Sequence, residues 1–133
     1  MNDPIIGETK TLDDVTLLII GFLLLKKDHA WSGHAEELAN GIANLCSQMG
    51  IKFIPNARMV GKALNRDWDM IGALFHLGNR RISSGYTFYT IDGIRIDEEK
   101  VKDFCNTIFS EIRSRFIDPP KISIKAITFW ITK

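Results

Sequence analysis

Cysteine is scarce in this 133-residue chain: there are two, Cys46 and Cys105, and no local spacing links them to each other or to a ligand set. That excludes a disulfide framework and a zinc knuckle. Both fall in apolar helical patterns and read as free buried thiols in a reducing compartment. A long hydrophobic run is missing too. Val15 to Leu25 is apolar apart from Thr16 and Gly21, yet a membrane helix needs about 20 such residues. Met1-Asn2-Asp3-Pro4 lacks the basic start of a signal peptide, so the expected location is the cytoplasm. An excess of one charge is absent, since the net charge is +1. Internal repeats and low-complexity tracts are absent as well.

Catalytic constellations are equally thin. His29, His34 and His76 form no ligand set, because the His29–His34 spacing crosses a loop-to-helix boundary and no Cys or acid completes it. Ser32, Ser83 and Ser84 have no base or orienting acid at motif spacing. Asp13-Asp14 and Glu36-Glu37 are explained by helix dipoles. No enzyme activity, cofactor, metal or small-molecule substrate is expected, and no membrane.

What is present fits one globular domain with its own core: 45% of the residues are hydrophobic and 25% charged. The charge is unevenly placed. Residues 1–50 carry three Lys/Arg against seven Asp/Glu, residues 51–91 six against two, and residues 92–133 eight against seven. A basic middle beside an acidic first third points to a polyanion-facing surface.

Residues 1–9, broken by Pro4 and Gly7, read as a flexible arm. Thr11 is placed to cap a first helix with Asp13 and Asp14 in its first turn and Lys26-Lys27 at its end. That helix is apolar on every side, so it requires cover on every side. One small core covers half of it; the C-terminal segment or a second subunit must cover the rest. Asp28 to Trp31 reads as a link and Ser32 as the cap of a second helix. Ala35, Leu38, Ile42, Leu45 and Met49 line one face of that helix, and Gly50 terminates it.

After an apolar turn from Ile51 to Pro55, Asn56 caps a third helix. Ala57, Val60, Leu64, Trp68, Ile71 and Phe75 share one sector, and Arg58, Lys62 and Asn65 lie opposite with Arg66 at the edge. Asp67 sits near the apolar side and is expected to cap a fresh helix that runs to Leu77 and ends at Gly78. Arg80 to Ile91 reads as a hairpin turning at Ser84-Gly85. A two-residue loop pairs Ile82 with Thr87, and a three-residue loop pairs it with Tyr86. Asp92-Gly93 reads as a turn. Asp97 then caps a helix with Val101, Phe104, Cys105, Ile108, Ile112 and Phe116 inward, stopped at Asp118-Pro119-Pro120. Residues 121–133 read as a strand.

Two helices, a basic-faced third helix and a hairpin describe an α+β winged helix-turn-helix. The domain is expected over residues 10–93, with residues 94–133 a helix-and-strand extension for packing or dimerisation. In such a fold the third helix enters the major groove. Arg pairs with guanine and Asn with adenine there, so Asn56, Arg58 and Lys62 read bases while Asn65 and Arg66 face phosphates. Arg80 and Arg81 on the hairpin neutralise phosphates or reach the minor groove, and Ser84 offers a hydroxyl to phosphate.

Trp31-Ser32-Gly33-His34-Ala35-Glu36-Glu37-Leu38 is similar to the W-S/T-G-x-A-x-x-L opening of winged-helix domains at the C-termini of phage and plasmid primase-helicase proteins. There, a Pro precedes a helix of the form x-x-x-G-x-x-L-x-R, followed by Gly and an arginine-bearing hairpin with an aromatic. Pro55, Gly61, Leu64, Arg66, Gly78, Arg80, Arg81 and Tyr89 match. The resemblance covers roughly residues 31–91. No primase or helicase segment is present, and no G-x-x-x-x-G-K-[ST] phosphate loop; the helix and strand after Ile91 are additional. The resemblance implies a stand-alone domain from a mobile element, and the expected role is that of a homodimer on double-stranded DNA in replication or transcription control of that element. The alternative is a protein–protein interaction module on the same scaffold without DNA binding.

Overall fold

A computed structural model describes residues 12–78, 80–83 and 85–117 of the chain. Helix α1, Asp14–Leu25, is capped by Asp13, whose carboxylate accepts the Val15 N–H at 3.0 Å. Thr11, the expected cap, lies outside the described residues, and Asp13 holds the position because the helix begins at Asp14. The apolar run then does what its composition demands. Leu17, Leu18, Ile19, Ile20 and Leu23 are completely buried, each contributing on the order of 1.5–3 kcal/mol of transfer free energy.

The cover for α1 comes from α2 (Ala35–Met49), α3 (Ala57–Arg66) and α5 (Glu98–Phe116), all of which pack on it. The approach of α5 is close: a Cβ at Gly21 would lie 2.7 Å from Ile112 Cδ1. One copy of the chain therefore encloses this helix, and only its end, at Leu25, is exposed among its apolar positions. A second subunit is not needed to cover it.

Past α1 the chain makes one 3-10 turn, Lys27–His29, with Asp28 and His29 both at positive φ (57° and 53°). It then forms strand β1, Ala30–His34. The expected link and Ser32 cap are corrected here. Ser32 sits mid-strand opposite Thr90, in a ladder from Ala30↔Asp92 to His34↔Phe88. Long-range pairing outweighs the local preference of a serine for a helix start. Helix α2 begins three residues later, where the Glu37 carboxylate accepts the His34 N–H at 2.9 Å. It ends as expected at Gly50 (φ 76°), with Ile51 N–H donating to Cys46 O at 2.8 Å.

The connection to α3 buries Ile51 and Pro55 and leaves Ile54 exposed. Phe53 stacks on Phe116 of α5, with centroids 5.7 Å apart. Asn56 caps α3, accepting the Met59 N–H at 2.9 Å. The break expected at Arg66-Asp67 is present, and α4 follows as Trp68–Leu74.

Strand β2, Phe75–Leu77, replaces the expected last helical turn. Phe75 pairs with Ile94, and Gly78 N–H donates to Thr90 O at 2.8 Å, so pairing to β4 ends the helix early. Strands β3 (Arg81–Ser83) and β4 (Tyr86–Ile94) form the hairpin with Ile82 opposite Thr87, which selects the two-residue loop. Asp92 and Gly93 are part of β4 and make no turn. The antiparallel sheet has the order β1-β4-β2, with β3 on β4 as well. The architecture is α+β: five α-helices and four strands among the described residues. The arm at 1–9 and the strand expected at 121–133 lie outside them.

If α5 is the cover for α1, Ile112→Ala, which empties the space beside Gly21, should lower unfolding free energy by about 2–5 kcal/mol. Urea denaturation followed by circular dichroism measures this. An unchanged midpoint would remove α5 from the core.

Candidate nucleic-acid interface

Helix α3 divides its side chains cleanly. Val60, Ala63 and Leu64 are buried, while Arg58 and Lys62 are exposed, one turn apart. Gly61 faces α2, where an added Cβ would sit 3.6 Å from Ala35. Asn56 is exposed at the start of α3, but its side-chain oxygen is engaged in the cap.

The far end of α3 is tied to the hairpin. Asn65 Oδ1 accepts from Tyr89 Oη at 3.0 Å and from Arg80 Nη1 at 3.2 Å. The Tyr89 ring lies 5.4 Å from Trp68 of α4, and the Arg80 guanidinium stands over that indole at 5.1 Å. Asn65, expected to face phosphate, is thus the joint between helix and hairpin. Arg80 is exposed but anchored by an amide oxygen and an indole face.

Arg66 is turned another way. Its guanidinium contacts the carboxylates of Asp67 (2.8 Å) and Asp13 (3.3 Å) and donates to Thr16 Oγ1 at 3.2 Å. The Thr16 hydroxyl in turn donates to Asp67 Oδ2. Thr16 is the buried polar residue of the core among the described residues. Asp67 makes no side-chain cap to α4, against expectation. Bonds to a guanidinium and a buried hydroxyl win over a cap to neutral backbone N–H groups. The Arg66 hydrogen bond holds the Asp67 carboxyl below its usual range, and the same pair pushes the Arg66 guanidinium up.

On the hairpin, Arg81 lies over Phe88 at 5.1 Å and is exposed. Ser84 lies outside the described residues. A cleft of about 600 Å³ separates the first turn of α3 from the hairpin tip, lined by His34, Glu36, Glu37, Arg58, Tyr86 and Tyr89 among others. Its charge is mixed, because two glutamates and an arginine line it.

The structure therefore brings Arg58, Lys62, Asn65 and Arg80 onto one assembly and directs Arg66 toward α1. Sequence reasoning missed His34, Trp68, Tyr86 and Phe88 as neighbours of that assembly. The pairing of β1 with β4 is what assembles them, and the one available signal, aromatics alternating along Tyr86-Thr87-Phe88, meant little without a register. The cysteines are unpaired, and burial pushes both thiols up. Among the described residues no His, Cys, Asp or Glu cluster is arranged to hold a metal ion, and no helix is long and apolar enough to cross a membrane.

The depressed Asp67 carboxyl predicts a pH dependence. A carboxyl with a lower pKa folded than unfolded stabilises the fold above the unfolded value, about 3.9, and that stability is lost as pH falls through the folded value. Wild type should therefore lose more unfolding free energy below about pH 4 than Asp67→Asn, measured by urea midpoints across an acid series. Parallel curves would show that the pair contributes nothing. Comparison with known proteins finds no match for this chain, whether among family models, curated proteins or solved structures.

Proposed function

We propose that this chain binds double-stranded DNA as a winged helix-turn-helix, with α3 in the major groove and the β3–β4 hairpin as the wing. The observation that carries the reading is the joint at Asn65. It fixes a helix that exposes Arg58 and Lys62 against a hairpin whose Arg80 shares the joint, so three cations are held on a preorganised assembly, with Arg81 next to them on the hairpin's outer face. Arg58 and Lys62, one turn apart, reach base edges or adjacent phosphates. Arg80 and Arg81 neutralise backbone phosphates beside them. The motif likeness to winged helices of phage and plasmid primase-helicase proteins supports the same reading, and with it a role in replication or transcription control of a mobile element. Arg66 belongs to the fold and not to the reading face. α5 covers α1 within one chain, so the homodimer is not required by that helix and rests on the habit of such binders to pair two half-sites.

A protein-interaction role on the same scaffold is favoured by one observation: Ile82 is 77% exposed on the hairpin and Ile54 52% exposed before α3. Salt separates the two readings. A duplex binder making several phosphate contacts loses affinity by orders of magnitude between about 50 and 200 mM salt, whereas an apolar interface barely responds.

In fluorescence anisotropy with duplex DNA, Arg58→Ala and Lys62→Ala should each weaken binding by roughly 5- to 100-fold and flatten the salt slope by about one contact. Arg66→Ala should lower stability while leaving the affinity of the folded protein near wild type. Wild-type affinity in both α3 variants would sink the assignment of the reading face.

A further inference from the structure

The hairpin register divides β4 into two faces with opposite fates. Tyr89 and Ile91 point inward and are 2% and 1% exposed. Tyr86, Phe88 and Thr90 occupy the other face. Across the ladder, Phe88 has Arg81 on one side and His34 on the other, and Thr90 has Ser32. No member of this six-residue set is acidic; the next residue on that face of β4 is Asp92, at the far end.

The rings here are not packed away. Tyr86 is 69% exposed. His34 meets Phe88 edge-on at 5.2 Å and 85°, and Tyr86 at 6.2 Å and 68°. His34 is oriented by a hydrogen-bond-length contact of 3.1 Å from Nδ1 to Thr87 O. Edge contacts use the rims of rings and not both of their flat faces. The exposed Arg81 guanidinium over Phe88 supplies a cation within the same strip. Tyr86 therefore touches His34 while most of its ring stays open to a partner.

We propose that this outer sheet face is a stacking platform for unpaired nucleotides of a single nucleic-acid strand. Flat rings on a sheet accept bases of any identity, and a neighbouring arginine holds the phosphate that accompanies them. A protein partner fits less well, because on the sheet itself a cation and the hydroxyls of Ser32 and Thr90 flank the rings, and the carboxylates of Glu36 and Glu37 belong to α2, along the cleft that His34 and Tyr86 also line. The inference rests on the nucleic-acid reading above and deepens it: the hairpin tip adjoins α3, so one molecule holds duplex on α3 and an unpaired strand on the sheet, as at a fork or melted site.

The test is anisotropy of the full-length protein on labelled oligothymidylate of about 12 nucleotides and on a blunt duplex. Tyr86→Ala should lose about tenfold or more on the oligonucleotide and less than about twofold on the duplex. Tyr86→Trp should retain binding, since the flat face is kept. Arg81→Ala should lose several-fold on the oligonucleotide and provides a second variant at an exposed position. Lys62→Ala should show the reverse pattern from Tyr86→Ala. Absence of oligonucleotide binding by wild type, or wild-type binding by both Tyr86→Ala and Arg81→Ala, overturns the platform. Loss on the oligonucleotide in a protein that ignores duplex sustains the platform and overturns the α3 reading alone.

Discussion

A helix without a polar face cannot rest on a surface, and α1 dictates the layout of the rest of the molecule for that reason. Thr16 interrupts its apolar run, and that hydroxyl is satisfied within the fold by Arg66 and Asp67. Everything else on the helix is solved by enclosure. α2 and α3 cover part of it, and α5 returns across the remainder, using Gly21 to come close. The placement of α3 follows from this enclosure, because its Val60–Leu64 stripe is buried and Arg58 and Lys62 are thereby turned outward. The exposed basic face of α3 is in this sense a by-product of how α1 is covered.

The same constraint explains why one basic residue differs from its neighbours. Arg58 and Arg66 are both arginines of α3, and a helical wheel places Arg66 only at the edge of the polar face. In the folded chain Arg66 lies where α3 meets the N-terminus of α1, beside Asp13 and Asp67. Charge-assisted bonds to two carboxylates and a buried hydroxyl direct the side chain there, although the guanidinium is 53% exposed and its pairs are partly screened. Periodicity reports the direction of a side chain from its own helix axis and carries no information about which foreign element arrives there.

That limit sets how much of the fold could be read from the sequence. The caps at Asn56 and Gly50, the break at Arg66-Asp67 and the inward stripe of α5 were legible because each depends on residues within a few positions. Strands β1 and β2 were not. Ala30-Trp31-Ser32-Gly33-His34 is too short to show alternation, and Ser32 followed by two glutamates imitates a helix start. Phe75-His76-Leu77 continues a helical stripe until Ile94 and Ile91 supply a better partner. Both are strands because β4 exists, and β4 is recruited through pairings more than fifty residues away in the case of β1. The candidate site inherited this division: Arg58 and Lys62 were visible on one helix, whereas the Asn65–Tyr89–Arg80 joint and the His34–Phe88 pair required the register.

The register also couples the two surfaces of the hairpin without making them one. On the inner face Tyr89 bonds Asn65 and packs on Trp68, which fixes the hairpin to α3. On the outer face Phe88 and Tyr86 meet His34 and Arg81. Adjacent residues of a strand point to opposite sides, so a change at Tyr86 leaves the joint at Asn65 untouched, and a change at Asn65 loosens both surfaces at once. A slip of one residue in the loop would exchange the two sets, burying Phe88 against α3 and exposing Tyr89. The inward hydroxyl of Tyr89 opposes that slip: Asn65 Oδ1 is placed to receive it, and Phe88 has no group to offer in its place.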